Sequence, residues 1–191
     1  MKYLQVNTYH DATIVSTADL KTHLRITFSD DDTYIASLGK AAVNMIEEFC
    51  NIYLNPTVLT QYGNKFSDLT ILYKSPVSSS VSPVVKYTTG GVLTTLASSE
   101  YEFIPLIKPA RLYPDQGTSL PATDDLFQAW QIEYTAGYPT TADIPDALIQ
   151  AIKITVSDMY ENRQSVIVGK IASEIPKTAE YLMNPYKIQT L

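Results

Sequence analysis

Apolar residues recur at spacings of three and four near both ends of this chain and alternate with polar ones in between. Leu20 and Leu24 lie four apart behind Ser16, which has capping-box spacing to Asp19, and predict a short helix from about Thr17 to Arg25. Ile35, Leu38, Ala42, Met45, Phe49 and Ile52 form a longer stripe. Ser29 precedes Asp32 at the same capping spacing, and Asp30, Asp31 and Asp32 then fall in a first turn, where the helix dipole favours negative charge. A second helix of about 22 residues, about 33 Å long at 1.5 Å per residue, therefore starts near Ser29. Asn55-Pro56 ends it, because the residue before proline avoids helical conformation. Near the other end, Ile144, Leu148, Ile152, Thr155, Val156 and Met159 trace one face of a third helix. Asp143 is its candidate N-cap, Pro145 sits in the first turn and Arg163 in the last. Ser165–Gly169 reads as extended, and Lys177–Met183 as a short final helix stopped by Asn184-Pro185.

The middle of the chain reads as strand. Thr57–Tyr62, Leu69–Tyr73, Val81–Thr88, Val92–Leu96, Tyr101–Ile104 and Phe127–Tyr134 are rich in β-branched and aromatic residues. Thr89-Gly90-Gly91 predicts a tight hairpin, since glycine accepts the positive φ such turns need. Ser75–Pro83 and Asp115–Asp125 read as loops. The expected class is α+β, with helical segments 1–55 and 141–191 forming one discontinuous domain and residues 56–140 an inserted small antiparallel β domain.

Composition narrows the functions. Lys plus Arg total 14 against 20 Asp plus Glu, a formal net charge of -6. A surface built to grip nucleic acid needs clustered positive charge, so that class is disfavoured. The single cysteine, Cys50, forbids an intramolecular disulfide and a disulfide-stapled scaffold. The first residues lack a basic segment followed by an apolar run, and no apolar stretch reaches the roughly 18 residues of a membrane span. The expectation is a soluble intracellular product with no membrane partner. Tyrosine is abundant, with 14 residues. Its apolar body and polar tip suit half-wet contact surfaces, and it also fits strands.

Candidate chemistry is sparse. His23, four residues after Asp19, has the spacing of an acid-oriented base, and equally of a surface helix pair. Asp30–Asp32 offer carboxylates to a metal, but a calcium loop needs alternating ligands, a central glycine and a distal Glu, none of which follows. A small hydrolase or metal-dependent enzyme built on His23 and Asp30–Asp32 is the reading from another class. Cys50 ends an apolar stripe and reads as a packed thiol. Gly90-Gly91 lacks the lysine and spacing of a phosphate loop. Tyr160-Glu161-Asn162-Arg163 reads either as ordinary polar capping of a helix end or as a subunit contact, for which Tyr and Arg are favoured anchors.

The order of these segments resembles the head–tail connector (adaptor) proteins of tailed bacteriophages. STADLKTHLRI followed by SDDDTYIASLGKAAVNMIEEFCNIYL resembles the family's opening helices, with Leu20, Lys21, His23, Leu24, Arg25 and Ile26 matching. In EYTAGYPTTADIPDALIQAIKITVSDMYENRQS, Tyr134–Tyr138 precede Ile144-Pro145 and the helix closes on Tyr160–Arg163, like the family's second signature. Pro185-Tyr186 after a short Leu-containing helix resembles its ending.

The resemblance implies a helical bundle, here with the β insertion, and a virion structural protein rather than an enzyme, with no cofactor. Connector subunits form a ring of about twelve copies, a closed assembly that needs two different contact patches per subunit. The ring joins the portal to a stopper or tail terminator and lets genomic DNA pass without sequence-specific binding. The implied location is the virion head–tail interface, reached from the host cytoplasm during assembly. Another neck or tail-completion protein is the runner-up. Residue type and position nominate Tyr160, Arg163, Tyr181, Tyr186 and Lys187 as contacts. The tail, Ile171–Leu191, is expected to dock on the portal or a neighbour during assembly.

Overall fold

A computed structural model describes residues 3–163 and 175–188. The chain forms two units: Met1–Asp11, Asn55–Pro139 and Ile188–Leu191 make the first, and Ala12–Leu54 with Thr140–Lys187 the second.

The first unit is β-rich. Its strands are β1 (Tyr3–Tyr9), β2 (Thr57–Gly63), β3 (Val84–Thr89), β4 (Val92–Thr95), β5 (Tyr101–Ile104), β6 (Arg111–Pro114) and β7 (Trp130–Ala136). Five form one antiparallel sheet in the order β1-β2-β7-β3-β4, while β5 and β6 pair as a separate hairpin. Alternation explains the central strand. Trp130, Ile132, Tyr134 and Ala136 are buried, while Gln131, Glu133 and Thr135 between them stay half-open. Leu59 stands opposite Tyr134, and Val85 opposite Ile132, so the same face is apolar across the sheet. Each such side chain contributes about 1.5–3 kcal/mol by leaving water. Phe66 meets the Trp130 ring edge-on with centroids 5.4 Å apart.

Two turns depend on glycine. Gly90 and Gly91 both have positive φ and join β3 to β4 with Thr89 opposite Val92. The Asp124 carboxylate accepts both of their amides, at 2.9 and 2.8 Å. Gly137, just past β7, has φ +115°, and a Cβ there would come under 3.0 Å from the Asn55 carbonyl and the Pro56 nitrogen. Only glycine lets these two backbones meet.

The second unit holds α1 (Thr17–Leu24), α2 (Asp32–Cys50), α3 (Asp146–Glu161) and α4 (Lys177–Met183). Ser16 caps α1 by accepting from the Asp19 amide at 3.1 Å, and its hydroxyl donates to the Asp19 carboxylate at 2.6 Å. α1 and α2 end alike. Arg25 and Asn51 take left-handed conformations, and the amides of Ile26 and Ile52 donate back to the carbonyls of Lys21 and Glu47, each at 3.0 Å. These are Schellman closures, made without glycine. Glu47 is buried, and its carboxylate accepts from the Leu54 amide at 2.8 Å, fixing the chain as it leaves α2. Leu148, Ala151, Ile152, Thr155 and Val156 form the buried face of α3.

Several expectations change. Residues 3–9, which the sequence reading leaves in the helical segment 1–55, form strand β1. Leu69–Tyr73 is not a strand: a 3₁₀ turn over Phe66–Leu69 is followed by one isolated bridge, Ile71 to Arg111. The buried Gln61 side chain donates to the Ile71 carbonyl at 2.9 Å and accepts from the Tyr73 amide at 3.2 Å, so a side chain takes the place of a neighbouring strand. β6 lies inside a segment not read as strand. α2 starts at Asp32, not Ser29, because Ser29 closes a turn by accepting the Asp32 amide at 3.1 Å. Its buried face runs through Ile35, Ala42, Val43, Ile46, Glu47 and Cys50, while Leu38, Met45 and Phe49 are half-exposed. Asp143 caps the 3₁₀ turn before α3 rather than α3 itself, accepting from the Thr140 amide at 3.0 Å. Arg163 lies two residues past α3. The expected extended segment Ser165–Gly169, and residues 171–174 and 189–191 of the tail, lie outside the described residues.

Candidate functional site

The nominated contact residues fall into two groups, both in the helical unit. The first centres on Asp31. This residue precedes α2 but makes no side-chain cap, because its carboxylate is occupied elsewhere. The Tyr160 hydroxyl donates to its Oδ2, and the Arg163 guanidinium donates to the same oxygen at 2.7 Å. Arg163 also stacks at 4.8 Å from the ring centroids of both Tyr34 and Tyr160, whose rings lie 6.1 Å apart. One guanidinium is thus held by a carboxylate and two aromatic faces, the combination that its planar shape favours.

Helix ends assemble the group. Tyr160 lies in the last turn of α3 with Arg163 just past its end, while Asp31 precedes α2 and Tyr34 lies in its first turn, so the exit of one helix meets the entry of the other. Donation by Tyr160, then by Arg163, lowers the Asp31 pKa below its ordinary value. The same hydrogen bond to Asp31 raises that of Tyr160 and leaves its phenol a firm donor. Asp32, next in sequence, pairs instead with Lys21 at 2.6 Å.

The second group lies on the tail. Tyr181 on α4 is 76% exposed. Tyr186, in the 3₁₀ turn after α4, is half-buried, and Lys187 holds its ammonium 4.2 Å over the Phe49 ring. Cys50 is wholly buried, and its sulfur lies 3.8 Å from the Met183 carbonyl. Burial pushes its thiol up to about 11, with Lys187 opposing.

The structure therefore joins Tyr160 to Arg163 and leaves Tyr181, Tyr186 and Lys187 as a separate group. Sequence reading passed over Tyr34 and weighed Asp31 as a first-turn acid or a metal-binding carboxylate; no local signal in the sequence pairs it with Tyr160 and Arg163. His23 is exposed on α1. Among the described residues, no three His, Cys, Asp or Glu side chains gather as metal ligands, and no helix is long and apolar enough to cross a membrane.

Comparison with known proteins adds to this geometry. No curated protein matches the chain. A chain of the native gene transfer agent (GTA) virion is 21% identical with a TM-score of 0.77, covering 98% of this chain and 96% of its own. Chains from the neck of the empty GTA particle, computed with C6 symmetry, and of the native particle, computed with C12 symmetry, are 18% and 19% identical. Their TM-scores are 0.73 and 0.72, and each comparison covers 99% of this chain and 97% of the other. At such identities the likeness is one of fold, and the α+β arrangement of helices and antiparallel sheet is shared along nearly the whole length. Residues 15–89 match the model of the phage gp6-like head-tail connector protein family. The recognition read from the sequence thus stands on this segment, which carries the signature of the gp6-like head-tail connector proteins.

Proposed function

We propose that this chain is a structural subunit of the neck of a phage-like particle, where it forms a ring between the portal and a stopper or tail terminator. The observation that carries this reading is the connector-family match over residues 15–89. A fold shared with chains of particle necks supports it. The ring has about twelve copies, joined head to tail by two unlike patches, and surrounds a channel through which DNA passes. An acidic chain suits such a wall, because it offers phosphates little to hold. The protein works by shape and contact, without catalysis or cofactor. Two of the three carboxylates of an imagined metal enzyme are already taken: Asp31 by Tyr160 and Arg163, Asp32 by Lys21.

Within this reading the helical and β-rich units are two domains of one subunit, and Tyr181 is the leading contact residue. An aromatic side chain so open contributes little to its own fold and is a typical anchor on a partner. Tyr186, Lys187, Tyr160 and Arg163 complete the proposed contacts.

Co-sedimentation with portal rings from the same genome, followed by negative-stain imaging, tests the proposal. Stoichiometric decoration of one end of the portal is expected, and Tyr181→Ala is expected to weaken it by about tenfold, the effect of a modest hot spot. Portal rings that stay bare at tens of micromolar protein would overturn the adaptor role and turn attention to stopper and tail partners.

A further inference from the structure

Among the described residues no strand pairs with the outer side of β1 or of β4, the two edges of the five-stranded sheet, and these edges are unlike. β1 carries no charged residue from Tyr3 to Tyr9, and β4 none from Val92 to Thr95. Edge strands are ordinarily blunted by lysine, proline or irregularity, because their outward amides and carbonyls invite another strand. β1 has one register shift, between Val6 and Thr8, and the regular stretch before it, Tyr3–Val6, matches the four residues of β4 in length. The core face carries an apolar residue at each rim. Val6 stands opposite buried Leu59 at one side, and Val92 opposite exposed Thr89 at the other. Both rim residues are open: Val6 is 46% exposed and Val92 63%.

We infer that a second copy of this chain covers each rim, with β4 of one copy laid beside β1 of the next. The inference rests on the ring proposed above and says which surfaces close it. A cyclic ring uses one heterologous contact between two different patches, and two unlike edges of one sheet are such a pair. Topology also fixes the strand sense. Five strands paired antiparallel leave β1 and β4 running the same way, and rotation about a ring axis preserves that sense in the neighbour. The contact between copies is therefore parallel, with evenly spaced, slanted hydrogen bonds, in a sheet otherwise antiparallel.

The test uses the full chain carrying Val6→Cys and Val92→Cys together, assembled on portal rings and treated with a short bismaleimide. Both positions are exposed, so the fold tolerates them, and buried Cys50 stays silent. A ladder of linked multimers climbing toward the full ring is expected from the double variant, with monomers from either single variant. Decorated portals whose double variant stays monomeric would overturn the edge pairing and leave the connector reading intact. Dimers from a single variant would mean that like edges meet, which overturns the head-to-tail order. Bare portals for wild type and variant alike would remove the connector reading and this inference with it. As an independent measure, Val92→Lys should leave the unfolding midpoint unchanged and reduce decoration at least tenfold; undiminished decoration counts against the inference.

Discussion

Asp31 and Arg163 are 132 residues apart in the chain, and their side chains meet at 2.7 Å. With Tyr160 they tie the entry of α2 to the exit of α3. Because the folded carboxyl of Asp31 titrates below its ordinary value of 3.8, its contribution to stability is fully present above that value. It disappears as pH falls through the lower, folded value. Asp31→Asn should therefore lower the urea midpoint at pH 7, with the gap to wild type closing below about pH 4. A gap unchanged down to about pH 2 would show that the carboxylate charge contributes nothing.

Gly137→Ala should disrupt the β-rich unit. The new methyl would meet the backbone of Asn55 and Pro56, which cannot swing aside as a side chain end can, and φ +115° is unfavourable for alanine. The expected loss exceeds the roughly 1 kcal/mol by which glycine and alanine ordinarily differ. Thermal unfolding of the variant reads it directly, and an unchanged melting temperature would refute the close approach.

The Cys50 thiol should be silent in the native protein. At a pKa of about 11, its thiolate fraction at pH 8 is about one in a thousand, and the sulfur has no path to solvent. Titration with a chromogenic disulfide should give no thiol per chain when folded and one in denaturant. Rapid native reaction would mean that the end of α2 opens readily.

Asp124→Ala should loosen the β3–β4 hairpin, because two amides lose their acceptor at once. The expected cost is about 1–2 kcal/mol, and Asp124→Asn, which keeps one acceptor oxygen, should fall between. Hydrogen exchange at Gly90 and Gly91 reports it: unaltered protection in Asp124→Ala would show that the two glycines hold the turn alone.

What the sequence disclosed and what it hid have physical causes. Ser16 with Asp19, the paired glycines and the alternation around Ile132 are local signals, and the structure follows each. β1 was hidden because its alternation is short, only Leu4 and Val6 alternating with Gln5 and Asn7, and β6 because four residues leave no period to detect. Leu69–Tyr73 misled because β-branched and aromatic residues can be buried by a loop whose polar groups a side chain satisfies, here Gln61. The rotation of the α2 stripe reflects Glu47, a charged residue buried because the Leu54 amide needs it. Residue type nominated Tyr160 and Arg163, and only the three-dimensional arrangement supplied Asp31 as their common partner within the chain.

The position of β7 in the sheet has a bearing on how the protein is made. It lies in the middle, between β2 and β3, yet it is the last of the seven strands to leave the ribosome. Until Trp130–Ala136 emerges, β2 has β1 for company but no link to the β3–β4 hairpin, and the buried side of each piece faces water. The sheet can close only after this long delay, through pairings as distant as Thr57 with Ala136. Non-local closure of this kind is slow and leaves strand edges open for longer. A nascent chain stalled before Trp130 should therefore be a better chaperone client than one stalled after Ala136.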